Sequence, residues 1–177
     1  MSDSRMRDLL RLSYTYRWNG TPTHRIQTVA EHSYRVAVIA RHLAAYTGAV
    51  VDSVHWALDH DGPECYTGDI PWPASQKIAG RRVAENDLCP WYDKSLYSPT
   101  AFVVVKMADK IEELMFWNEA PGLWNNPRVA WARYSASKIL ADLMERAEHS
   151  IGVSLRPVIM DVLGFSVPLP EAIEPRT

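Results

Sequence analysis

The stretch "TVAEHSYRVAVIARHLAAYTG", residues 28 to 48, reads as one helix with both ends marked. Thr28 and Glu31 form a capping box, in which the hydroxyl takes a first-turn N–H and the glutamate reaches back. Val29, His32, Val36, Ala40 and Leu43 then recur at steps of three and four, so they share one face. Gly48 closes the run, as glycine commonly does past a helix end.

The same period extends outward in both directions, and sustained strand-like alternation is scarce. A first helix is expected from about Ser4 to Tyr16, with Met6, Leu9, Leu10 and Leu12 on its apolar side. "RWNGTPTH" interrupts it through Gly20 and Pro22. A short helix from about Asp52 runs into "WALDHDGPECYTGD", residues 56 to 69, where Gly62-Pro63 bends or ends it. "IPWP" reads as a loop, and a helix follows from about Ala74 to Leu88. Ser98 caps the next helix with Pro99 at its first position, and its stripe holds Ala101, Val104, Ala108, Ile111 and Met115. Asn126-Pro127 opens another in the same way. Four late prolines (Pro157, Pro168, Pro170, Pro175) predict a short helix and then a loose tail from about residue 165. The expected fold class is all-α, a single helical-bundle domain over residues 1 to 177.

The bulk numbers narrow the function. With 177 residues, 47% hydrophobic and 23% charged, the chain can bury a real core. A net charge of −2 without a basic stripe argues against duplex nucleic acid as a partner. No run approaches the ~18 apolar residues of a membrane span, and the amino-terminal stretch lacks a secretory apolar region. The two cysteines, Cys65 and Cys89, form no framework, which fits a reducing, cytoplasmic setting. Of the seven tryptophans, Trp56, Trp117 and Trp131 fall in helices and read as core, while Trp72, Trp91 and Trp124 fall in loops.

The polar residues on the apolar faces carry the chemistry. His32 alone reads as a core histidine. His60 and Asp61 end the third helix, however, and Asp109 sits beside Ala108 on a later one. Burying several carboxylates together is costly unless a cation offsets their charge. Two imidazoles and two carboxylates suit a first-row divalent ion (Co, Mn, Zn, Ni or Fe), with Mg less natural. Asp109 could instead pair with Lys106 or Lys110 on a helix surface, and Asp59 reads as a solvated helix end.

The order "EHS", "HD", "TGD", "KMADK", with "YRW" at residues 16 to 18 and "TGDIPWP" after the His-Asp pair, resembles the HD-domain metal-dependent phosphohydrolases. Within that family it is similar to a small branch of bacterial 5'-deoxynucleotidases and bacteriophage dATP triphosphohydrolases. The resemblance runs from about Leu9 to Trp117 and implies His32, His60, Asp61 and Asp109 as metal ligands. It implies Glu64 as general acid or base and Asp69 as a supporting carboxylate. It also implies Arg17 and Lys106 as phosphate-binding groups, with Lys77 a third candidate, and Trp18 as a platform for the base. Pro73 and the "GTP" turn at 20 to 22 would form the opposite wall. Two departures stand out: Gly62-Pro63 after His-Asp, and a spacing from Asp69 to Asp109 shorter than in the bacterial nucleotidases. The expected activity is release of deoxyadenosine and triphosphate from dATP. The alternatives are a 5'-deoxynucleotidase acting on monophosphates and a non-catalytic nucleotide-binding module. The family further implies a cytoplasmic homo-oligomer, a dimer or an assembly of dimers.

Overall fold

Helix α7 (Pro99–Asn118) is the central strut of the fold. Around it pack α2 (Val29–Ala44), α3 (Val50–Asp59), α8 (Pro127–Ile151) and α9 (Arg156–Leu163). The computed structural model describes residues 4–164, and the side chains of residues 72 and 73 fall outside that description. The expected Pro-rich tail from about 165 and the proposed wall at Pro73 therefore lie outside the described residues. Among the described residues the only extended pairing is an isolated bridge between Tyr16 and Thr28, so the all-α expectation holds.

The three cap side chains act as the sequence implies, but the Glu31 carboxylate pairs with Arg25 at 2.7 Å and Arg35 at 3.8 Å rather than reaching back to Thr28. The Thr28 hydroxyl accepts from the Glu31 N–H at 3.1 Å, Ser98 caps α7 through the Ala101 N–H, and Asn126 caps α8 through Arg128. All five stripe residues of α2 are fully buried. Val36, Ala40 and Leu43 share one core with Val104, Ala108 and Ile111 of α7, and Ala136 and Leu140 of α8 close it. Trp56 and Trp117 are buried as expected, but Trp131 is 43% exposed on α8 and is not core.

Three other expectations change. The first helix, α1, spans Ser4–Arg11 and passes into a 3-10 turn over Leu12–Tyr14. Met6 and Leu10 are exposed, whereas Leu12 and Asp8 are buried. Asp8 goes inside because its carboxylate accepts from the Tyr66 hydroxyl at 2.9 Å and from Trp91 Nε1 at 2.8 Å. The helix expected over 74–88 is two pieces, α5 (Trp72–Ser75) and α6 (Arg81–Leu88), so part of "IPWP" is helical. Gly80, at φ +74°, breaks between them, because an α-helix cannot pass through positive φ. Asp59 is buried rather than solvated: Arg5 of α1 pairs with it and the Tyr97 hydroxyl donates to it.

Between α3 and α7 the chain has little core of its own, since α4 (Glu64–Thr67) and α6 contribute no buried residue. Polar ties hold it instead. Trp91 reaches Asp8, and Tyr92 donates its hydroxyl to the His60 carbonyl at 2.7 Å. These ties place Glu64 beside the end of α3.

Candidate functional site

His32, His60 and Asp61 converge where α2 and the end of α3 meet, each offering a ligand atom within 4.8 Å of the others. Nε2 of His32 lies 3.5 Å from Asp61 Oδ2 and 3.4 Å from Asp109 Oδ1, and His60 Nε2 lies 3.2 Å from Asp61 Oδ2. The structure thus brings together all four residues expected as ligands. Asp109 does so while also facing Lys106 at 3.8 Å and Lys110 at 3.4 Å, so surface pairing and the cluster are not exclusive.

Second contacts fix how the imidazoles point. His60 Nδ1 donates to the Ala57 carbonyl at 2.7 Å, and a carbonyl can only accept. His32 Nδ1 donates at 2.7 Å to Glu112, a carboxylate on α7 that is fully buried. Both rings therefore turn an Nε2 lone pair into the cluster. Those two Nε2 atoms are buried and have no hydrogen-bond partner. Orphaned buried acceptors beside two carboxylates are what a divalent cation satisfies, so the donor set fits one.

The electrostatics differ between the two rings: burial and Arg17 oppose a charge on His32, but its contacts with Asp109 and Glu112 outweigh them and raise its pKa. Burial lowers the His60 pKa, which keeps the ring neutral and able to ligate. Burial works against the charge on Asp61, but His60 and His32 outweigh it and hold the carboxylate ionised. Burial likewise opposes Asp109, yet Lys110, the His32 contact and Lys106 push its pKa well below the usual carboxylate range. Glu64 goes the opposite way: burial first, then Asp61 and Asp69, push it well above that range. Its Oε2 is buried without a hydrogen bond. A carboxyl whose pKa is raised beside carboxylates held low is suited to general-acid work.

A loop from Arg17 to Gln27 closes over one side of this cluster. Backbone bonds from Arg17 to the Gln27 carbonyl (2.9 Å) and from Val29 to the Thr15 carbonyl (2.8 Å) pin its base. Trp18 sits at φ +68°, a region that costs a bulky residue about 1–3 kcal/mol. Its backbone N–H donates to Asp69 Oδ2 at 2.9 Å, and its Nε1 donates to Gln27 Oε1 at 3.0 Å, which together hold it there. Asp69 thus positions the loop, and its own pKa is raised by burial. The Trp18 ring packs against Phe116 (5.5 Å between centroids) and lies 4.7 Å from the Arg17 guanidinium. A base stacking there must share the ring with Arg17 or displace it. Lys77 is exposed on the turn after α5 and makes no hydrogen bond or ion pair with the cluster.

Sequence reading missed Glu112, Gln27 and Arg35. Glu112 Oε1 accepts from Gln27 Nε2 at 2.8 Å and pairs with Arg35 Nε at 2.9 Å, while its Oε2 lies 3.3 Å from Arg17. The signal was present, since Glu112 follows Asp109 by one helical turn on a largely apolar face. Asp8, Cys65 and Cys89 also approach one another within 4.8 Å. There the carboxylate already accepts from Tyr66 and Trp91 and faces Arg11, so no cation is called for.

Known proteins carry the same frame. The family model for the 5'-deoxynucleotidase YfbR-like proteins matches residues 6–86. A cyanophage S-2L HD phosphohydrolase, DatZ, bound to dA and one catalytic Zn2+ ion, superposes with a TM-score of 0.59 at 24% identity, covering 93% of this chain and 95% of that one. This chain has the fold of that HD phosphohydrolase. The chain is also 34% identical over 125 residues to a dATP triphosphohydrolase of Salmonella phage PMBT28, a match covering 63% of this chain and 64% of that relative. It is 30% identical over 130 residues to the 5'-deoxynucleotidase YfbR of Salmonella arizonae, covering 58% of this chain and 65% of that relative. The matches thus span just under two thirds of the length of these relatives. No helix among the described residues is long and apolar enough to cross a membrane.

Proposed function

We propose that this HD-domain chain is a metal-dependent deoxynucleotide phosphohydrolase that splits dATP into deoxyadenosine and triphosphate. The observation that carries the reading is the pair of orphaned Nε2 atoms, on His32 and His60, facing Asp61 and Asp109 beside the buried, unpartnered Oε2 of Glu64. His32, His60, Asp61 and Asp109 would hold one first-row divalent ion. When bound, such an ion supplies Lewis acidity toward a phosphoryl oxygen and acidifies water.

The protein's own groups do the rest. Water adds to the α-phosphorus while the bond from that phosphorus to O5' breaks; Glu64 gives its proton to the departing O5', and the proton released by the water passes to solvent, from which Glu64 is reprotonated. Arg17, buried against Glu112 and facing the cluster, and Lys106, beside Asp109, would bind the phosphates. Asp69 positions the Arg17–Trp18 backbone, and Trp18 would take the base. The phage relative supports the triphosphate substrate. The family-model match supports a second reading, 5'-deoxynucleotidase action on monophosphates with the same centre. In either case the enzyme would work in the cytoplasm as a homo-oligomer.

Product analysis separates the two. The chain is incubated with dATP and dAMP in parallel, each with Mn, Co, Zn or Mg, beside an Asp109→Ala control. Triphosphate released from dATP and lost in the control is the expected result. Phosphate from dAMP with dATP intact would move the chain to the nucleotidase reading. No turnover of either, with metal bound, would defeat both.

A further inference from the structure

One buried carboxylate links the two halves of the site. Glu112 is 0% exposed. Its Oε2 accepts from His32 Nδ1 at 2.7 Å and lies 3.3 Å from the Arg17 guanidinium, which also abuts His32 Nδ1. Its Oε1 accepts from Gln27 at 2.8 Å and pairs with Arg35 at 2.9 Å. Gln27, only 1% exposed, passes the contact on, since its Oε1 accepts from Trp18 Nε1 at 3.0 Å and from Arg17 at 3.4 Å. His32, Arg17, Gln27 and Trp18 thus share one acceptor system.

We propose that Glu112 couples the ion at His32 to the Arg17–Gln27 loop, so that metal and nucleoside each tighten the binding of the other. This rests on the reading that a nucleoside docks at Trp18. The physical route is short. When a cation draws on the Nε2 lone pair, the Nδ1–H becomes a stronger donor and its bond to Glu112 tightens. A carboxylate fixed in this way fixes Gln27 and Arg17, which hold the Trp18 ring. By linkage, a nucleoside that orders this loop returns the same factor to the metal. Replacing Glu112 by glutamine keeps the shape but turns one acceptor into a donor. That amide must face either the His32 N–H or the Gln27 and Arg35 donors, so one side of the link is lost.

The test uses the full chain, Mn2+ as the ion, and deoxyadenosine, which has no phosphate to touch the ion directly. Manganese affinity is measured by titration calorimetry with and without saturating deoxyadenosine, in wild type, Glu112→Gln and Gln27→Met. In wild type the nucleoside should tighten manganese about fivefold or more. Glu112→Gln should weaken manganese alone by roughly 10–100-fold and bring the coupling factor to about one. Gln27→Met should leave manganese alone within about twofold, because His32–Glu112 is intact, yet remove the coupling. A nucleoside that binds wild type without changing manganese affinity overturns the proposal, as does coupling that survives in a folded Glu112→Gln. Failure of deoxyadenosine to bind at all defeats the Trp18 reading instead. In that case, unchanged manganese affinity in Glu112→Gln would separately overturn the hold of Glu112 on His32.

Discussion

Gly62, between Asp61 and Pro63, is fixed by space rather than by backbone freedom. A methyl group built there would fall 2.3 Å from Trp91 Cη2, 3.1 Å from Cζ3 and 3.0 Å from the Asp59 carbonyl oxygen. Two non-bonded carbons cannot sit 2.3 Å apart, so Gly62→Ala must move either the indole or the turn. Trp91 resists, because its Nε1 bonds the buried Asp8 at 2.8 Å. Overpacking of this kind costs about 1–3 kcal/mol, and loss of a hydrogen bond to a charged group adds roughly 1.5–3 kcal/mol. The expected destabilisation of Gly62→Ala is therefore about 2.5–6 kcal/mol, or a melting-temperature drop of roughly 5–24 °C for a domain of this size. If the turn gives way instead, Asp61 and Glu64 move with it and metal affinity falls. Thermal unfolding followed by circular dichroism reads the first effect, and manganese titration reads the second. The double variant Gly62→Ala/Trp91→Ala discriminates further. With the indole gone, the extra methyl should cost much less than it does in wild type, keeping only its 3.0 Å approach to the Asp59 carbonyl. A Gly62→Ala protein that melts with wild type and binds metal equally would refute this account of the turn.

Three further outcomes follow from the same geometry. Glu64 has a raised pKa, so burying its charge penalises the fold increasingly as pH climbs above the ordinary glutamate range, and the penalty vanishes below it. In metal-free protein Glu64→Gln should therefore be more stable than wild type at neutral pH and equal to it in acid, while losing turnover; urea unfolding across pH checks the sign. Leu140→Ala, at a fully buried position of α8, a helix that supplies no site residue, should cost about 2–5 kcal/mol in urea unfolding and leave metal affinity unchanged. Tyr97→Phe removes a donor to the buried Asp59 and should cost about 1–2 kcal/mol by the same assay.

The helical frame was legible because its signals are local. Thr28 with Glu31, Ser98 with Pro99, and the stripe from Val29 to Leu43 each lie within a few turns of one helix. His32 could be placed on the buried face for the same reason, and the ordered His, His-Asp and Asp then suggested a shared centre. What escaped depends on partners distant in the chain. Asp59 looked solvated until Arg5, 54 positions away, reached it, and Asp8 displaced Met6 and Leu10 from the interior because Tyr66 and Trp91 come to it. Glu112 was passed over because a carboxylate at that spacing on a lysine-flanked helix looks like a surface charge. Only the approach of α2 and the Arg17–Gln27 loop makes it an interior hub.

The most direct measurement of the central claim is the metal content of purified, folded chain. Wild type, His60→Ala and Asp109→Ala are loaded with manganese or zinc, passed over a desalting column, and analysed for ions per chain by mass spectrometry. One retained ion per wild-type chain, lost in both variants while their helical spectra persist, is the result expected from a centre built by α2, the end of α3 and α7. An ion retained equally by both variants, or a wild type that retains none, would contradict it.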